Sequence, residues 1–138
     1  MIGLDTNVLA RYHVDDAADK ETTRQRVAAQ RLIESGRALM VATTVLLEFE
    51  WVLRGCYEFS RKQSAAEFEH LLGLPHVSIQ NKAAVRAALI AYGEGFVFSE
   101  ALHHASYAEC ELVATFDDNG FARKANKRAM LPRVSIPQ

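Results

Sequence analysis

Short apolar runs alternate with longer stretches of helical periodicity along the whole chain. Met1 to Leu4 is apolar and stops at Asp5, which predicts a first strand buried on both faces. Thr6 to His13 predicts a short helix with Val8, Leu9 and Tyr12 on one face, and the polar stretch from Asp15 to Glu21 predicts a loop. Lys20 to Ser35 places Val27, Ala28, Leu32 and Ile33 at helical spacing, with Gly36 as the stop. Ala38 to Ala42 ("ALMVA") reads as a second buried strand, and Thr43 or Thr44 as the cap of a helix from Val45 to Arg54 that ends near Gly55. A further helix runs from Ser60 to Leu72, with Ser64 and Glu67 spaced as a capping box near its start. Then come a strand at His76 to Ile79, an alanine-rich helix from Lys82 to Tyr92 ended by Gly93 and Gly95, and a helix from Phe98 to Tyr107. Leu112 to Thr115 ("LVAT") predicts a strand, Phe121 to Ala125 a short helix, and Arg133 to Ile136 a last strand.

Strands alternating with helices imply an α/β fold: a parallel sheet with helices on both faces. Ligand sites in such sheets form at the carboxyl ends of the strands. The 138 residues suit one domain, 1–138, and no repeat, low-complexity tract or linker interrupts them. A net charge of −1 argues against a dedicated nucleic-acid binder, so any such role must rest on a local basic patch. Cys56 and Cys110 lie far apart without CxxC spacing and read as two free thiols in a reduced cytoplasm. No stretch reaches the ~18 apolar residues of a membrane span. The amino terminus has neither a basic start nor a long apolar segment, so no signal peptide is expected.

Four acids fall near predicted strand ends or in apolar surroundings. Asp5 closes the first strand, and Asp117 follows "LVAT" by two residues with Asp118 and Asn119 beside it. Glu48 sits among Leu46, Leu47, Phe49 and Trp51, and Glu100 in the first turn of the helix opening "FSEALHHA". Each has an ordinary explanation taken singly: a helix cap for Asp5, the helix dipole for Glu100, turn chemistry for Asp117. Four carboxylates near one sheet edge would repel one another, and a divalent cation removes that conflict. Oxygen-only donors suit Mg²⁺ or Mn²⁺ and not Zn²⁺.

The stretches "LDTNVL", "TTVLLEFEWVL" and "FSEALHHA…LVATFDDNGFARKA" together resemble the PIN-domain family, and more narrowly the VapC-like ribonuclease toxins of bacterial toxin–antitoxin pairs. The resemblance runs through nearly the whole chain in order and spacing. It implies a three-layer α/β/α sandwich with a central, mainly parallel sheet of four to five strands. It also implies an acidic cluster that holds one or two Mg²⁺ or Mn²⁺ ions and cuts RNA. By position, Asp5, Glu100 and Asp117 become metal ligands, and Glu48 a ligand through water or an orienter of the attacking water. Asn7 becomes the amide that supports Asp5, and Thr115 the polar residue before Asp117. Glu100 stands where the family usually has Asp, and Val97 where many relatives carry another Asp. The implied partners are an RNA substrate, a cognate antitoxin and a second copy of the chain in a homodimer.

The expected chemistry is phosphodiester hydrolysis by a metal-activated water. Asp118 is placed to substitute for Asp117. "FARKANKR" supplies Arg123, Lys124, Lys127 and Arg128 as candidate phosphate contacts, although a solvated helix face explains the same run equally well. His104, one turn after Glu100, reads mainly as packing, and Trp51 as core or partner surface. The main alternative is a PIN-like binding module without activity. A phosphatase of the haloacid dehalogenase type would want Asp two positions after Asp5, where Asn7 stands. A receiver-like signalling domain would want paired acids near the start.

Overall fold

Five short strands and seven α-helices alternate in a computed structural model that describes residues 1–138. The chain divides into two compact units, Met1–Lys82 and Ala83–Gln138, and each is described by itself. The class is α/β with parallel sheets. The strands form one sheet of three and one of two, where the sequence predicted a single sheet of four to five. Every strand is only two or three residues long. A count of apolar runs sets how many strands exist, whereas such short ladders leave their pairing unspecified in the sequence.

The first unit orders its sheet β1 (Ile2–Gly3), β2 (Leu39–Val41), β3 (Val77–Ile79), all parallel, with Ile2 opposite Leu39 and Leu39 opposite Val77. Leu39, Val41, Val77 and Ile79 are buried while Met40 and Ser78 are exposed. The strands thus alternate between two faces, contrary to the predicted burial on both; a run as short as "ALMVA" hides that period. Helix α1 (Thr6–His13) follows β1 directly, and its N-cap is Asp5, whose Oδ1 accepts from the Thr6 N–H at 2.8 Å. Its far end is closed by Arg26 of α2 (Lys20–Ile33). The Arg26 Nη1 donates to the carbonyls of Arg11, Tyr12 and Val14, which would otherwise lack partners at a helix end. Helix α2 packs on α1 and buries Thr22, Ala29 and Ile33, whereas Val27 of the predicted apolar face is 48 % exposed.

Helix α3 (Thr43–Trp51) starts after Ala42, which offers no side-chain cap. Gln80, at the end of β3, fills that role: its Oε1 accepts from the Thr43 N–H and its carbonyl from the Thr43 hydroxyl. The predicted threonine cap is therefore replaced by a side chain distant in sequence. The helix then widens into a π-helical turn, Val52–Cys56. Helix α4 (Arg61–Leu72) carries a capping box at Ser60 and Gln63. Ser64, predicted to begin that box with Glu67, is instead fully buried one turn inside the helix. Phe49 and Phe68 meet at 5.5 Å between ring centres and form the aromatic core between α3 and α4. His13 leans on Phe49 with its side chain 1 % exposed, and its Nδ1 lies 2.8 Å from the Glu67 carboxylate.

The second unit contains α5 (Lys82–Gly93), α6 (Phe98–Ser106), α7 (Arg123–Lys127), and the parallel pair β4 (Leu112–Ala114) and β5 (Arg133–Ser135). Tyr92 meets Phe98 edge to face, and Phe96 meets Phe121 likewise. His104 is buried, its Nε2–H donates to the Pro132 carbonyl at 2.7 Å, and its ring packs on Phe121, which bears out its reading as a packing residue. Asn126 binds both the N–H and the carbonyl of Val134 and so ties α7 to β5.

Burial, with His70 and Arg26 nearby, holds the His13 imidazole below its usual pKa against the opposing pull of Glu67. The folded chain then binds fewer protons than the unfolded chain just below the ordinary histidine pKa. Stability contributed by neutral His13 is present above that value and is lost as pH falls toward the depressed folded value. Urea unfolding between pH 7.5 and 5.5 should show a loss of stability on acidification that is smaller in His13→Gln; an identical pH dependence in both proteins would contradict this.

Candidate active site

The turn from β1 into α1 brings Asp5 to the surface at the carboxyl end of a parallel strand, the position where such sheets place their chemistry. Asp5 is exposed, and its second carboxylate oxygen has no protein partner. Glu48 lies in the second turn of α3 and is exposed, although its sequence neighbours suggested a dry face; Leu46 and Phe49 turn inward and Glu48 outward. Asp5 and Glu48 line the same pocket of about 260 Å³. Asn7, Arg11, Cys56 and Tyr57 form its other polar walls, with Val52 and Cys56 supplied by the π-helical turn. Widened turns of this kind recur at functional sites because they re-aim side chains without ending a helix.

Asn7 lines this pocket without bonding Asp5, so the predicted supporting contact is not made; Asp5 takes its hydrogen bond from the Thr6 backbone instead. The cap geometry explains the change, since an N-cap carboxylate is already oriented by the first-turn N–H groups. Arg11 was not singled out from the sequence. Its Nε donates to Gln25 Oε1 at 2.8 Å and its Nη1 to the Tyr57 hydroxyl at 3.0 Å, which holds a guanidinium at the pocket wall between two neutral partners. Only tertiary structure joins these three residues, which are 14 and 46 positions apart.

In the second unit, Glu100 is half-buried in the first turn of α6, where the helix dipole favours a carboxylate. Asp117 is the N-cap of a π-helical turn, Asp118–Ala122: Oδ1 accepts from the Gly120 N–H at 2.9 Å and Oδ2 from the Phe121 N–H at 3.2 Å. The Thr115 hydroxyl accepts from the Asp117 N–H, so Thr115 meets Asp117 at its backbone and not at its carboxylate. Asp118 is exposed within the turn. Phe116, beside these acids, is 80 % exposed.

The basic run is only partly free. Arg128 is paired with Glu94, and Lys124 donates to the Gly95 carbonyl while lying over the Phe96 ring at 4.7 Å. Lys124, Lys127 and Arg128 share a pocket with Glu94, whose charge offsets part of theirs. Arg123 and Lys127 are exposed on α7 and remain the uncommitted cations of the run.

Asp5 and Glu48 are hard oxygen donors. Nowhere do three Asp, Glu, His or Cys side chains converge as a metal-holding group. Mg²⁺ retains several waters and needs only one or two protein carboxylates, so the Asp5–Glu48 pair fits its minimum donor set. No helix is long and apolar enough to cross a membrane, and Cys56 and Cys110 are both free and exposed. No family model matches the chain, and no curated protein matches it.

Gly120 sits inside the Asp117 cap. A Cβ there would lie 2.5 Å from Asp117 Oδ1, so any side chain must push the carboxylate off its two N–H donors. Gly120→Ala should lower stability by about 1–2 kcal/mol, the usual worth of a lost cap. Denaturant unfolding checks this, and an unchanged midpoint would contradict it.

Proposed function

We propose that the chain is a Mg²⁺- or Mn²⁺-dependent endoribonuclease with a PIN-like α/β/α sandwich fold, and that it acts as a VapC-like toxin of a bacterial toxin–antitoxin pair. The observation that carries this reading is one pocket at the end of β1 walled by two carboxylates, Asp5 and Glu48, and one guanidinium, Arg11. That combination suits a phosphodiester and its counter-ion: acids for a hard cation, and a fixed cation for the phosphate. Three separated sequence motifs support the family assignment independently of the pocket.

On this reading Asp5 holds the ion directly, and Glu48 holds it or orients the attacking water. The resemblance assigns Glu100 and Asp117 to the same metal-binding role. Thr115 and Asp118 support Asp117, and each Asp117 oxygen keeps a lone pair beyond the backbone bond it accepts. The metal, when bound, lowers the pKa of its water and offsets charge on the phosphate oxygens. Arg123 and Lys127 are the members of the basic run best placed to meet the RNA backbone, being free of other partners. A cognate antitoxin, a homodimer and a cytoplasmic location belong to the same reading.

A second reading, an inactive PIN-like module that binds RNA without cutting it, is favoured by one observation. Both Asp117 oxygens already cap a turn. Incubating a mixed RNA pool with the protein and Mg²⁺ or Mn²⁺ separates the two. Wild type should cut, and Asp5→Asn should cut about 100-fold more slowly or worse, as expected for loss of a metal ligand. No cutting by either protein with several metals, or equal cutting by both, would overturn the nuclease reading.

A further inference from the structure

Two cavities of the first unit share two residues. The Asp5–Glu48 pocket is bounded by Asn7 and Arg11, and the same two side chains bound a cleft of about 320 Å³ between α1 and α2. The rest of that cleft is Gln25 and an apolar wall of Val8, Ala28, Ala29 and Leu32. Arg11 therefore stands at the junction between an acidic pocket and a mostly apolar slot.

The guanidinium has five N–H donors, and the Gln25 and Tyr57 bonds use two of them. Three donors remain. Both partners are neutral, so the charge is oriented without being neutralised by contact. Arg11 helps to hold the Asp19 carboxylate below its usual pKa, after the stronger effect of the Thr22 hydrogen bonds. A guanidinium tethered at two points is pre-organised for a bidentate grip on a phosphate and loses little conformational freedom on binding one. The small side chains of the α2 wall leave room for a flat apolar ring. The Asn7 and Gln25 amides can meet the polar edge of a base or a ribose hydroxyl.

We propose that the α1–α2 cleft is a nucleotide subsite and that Arg11 is its phosphate clamp, seating the RNA nucleotide next to the bond cut at Asp5 and Glu48. Tyr57 and Gln25 are positioning residues that hold the clamp. This inference rests on the nuclease reading for its ligand, and its test separates the two.

The test is binding of a short, fluorescein-labelled single-stranded RNA by fluorescence anisotropy, in EDTA and at several salt concentrations, alongside cleavage in Mg²⁺ or Mn²⁺. Arg11→Gln should bind about tenfold more weakly, with a plot of log affinity against log salt shallower by about 0.7, one phosphate contact on a single strand. Arg11→Lys should restore the slope but not the full affinity. Ala28→Leu, which fills the cleft while keeping every charge, should weaken binding at the wild-type slope. A merely structural Arg11 would change thermal stability without moving the slope. Should Arg11→Gln fail to fold, Tyr57→Phe replaces it: weaker RNA binding supports the clamp, and unchanged binding contradicts it.

Folded Arg11→Gln and Ala28→Leu proteins with wild-type affinity would overturn the subsite and leave the cleft to another occupant, such as a protein segment. RNA binding that depends on Arg11 without any metal-dependent cutting would uphold the clamp and sink the nuclease reading. Cutting with a KM indifferent to Arg11 would do the reverse.

Discussion

Helix α1 is pinned at both ends, and the surface chemistry of the first unit depends on that double anchor. At its start the Asp5 carboxylate takes the Thr6 N–H, and at its finish the Arg26 guanidinium takes three carbonyls. Both are charge-assisted bonds to groups that a helix end leaves unpaired, and both favour the sign of the helix dipole at their end. An eight-residue helix is marginal by itself. With its ends closed it holds Asn7, Arg11 and His13 in fixed directions, toward the pocket, the α1–α2 cleft and the core.

The same economy appears at Asp5. One oxygen starts the helix, and the other is left without a protein partner on a residue that lines the pocket. Glu48 reaches that pocket from α3, whose own start is fixed by Gln80 of the neighbouring strand. The π-helical turn after α3 adds Val52 and Cys56 and leads to Tyr57, which steadies Arg11. Glu48 and Arg11 are thus presented by helices, and Asp5 by the cap of a helix, an arrangement that keeps a charged site pre-organised.

Much of this was legible in the sequence. The order of strands and helices follows from apolar runs ended by Asp, Ser or Gly, and the helix Thr6–His13 has its predicted bounds. Asp5 stands out as a strand-end acid, and it lines one pocket with Glu48. What remained hidden is tertiary. Nothing local distinguishes Ser60 from Ser64 as the cap of α4, because both precede helical residues and only one stays outside the core. Gln80 and Arg26 cap helices from other elements, so no motif near those helices announces them. Trp51 looked like core or partner surface; it is 65 % exposed, so the core reading fails. The run "FARKANKR" promised four cations, but Glu94 and the Gly95 carbonyl, about thirty residues earlier, engage two of them. Arg11 has no local signal of its role, because Gln25 and Tyr57, which hold it, lie 14 and 46 positions away.

On the proposed reading Asp5 and Glu48 form the seat of a catalytic cation, and locating that cation is the most direct test. Crystals soaked in Mn²⁺ should show an anomalous peak at the Asp5 carboxylate, at the direct ligand distance of about 2.1 Å for a Mg²⁺-like ion. Glu48 should complete the site directly or through one water. A peak elsewhere that leaves both carboxylates free, or no peak at saturating Mn²⁺, would contradict the account.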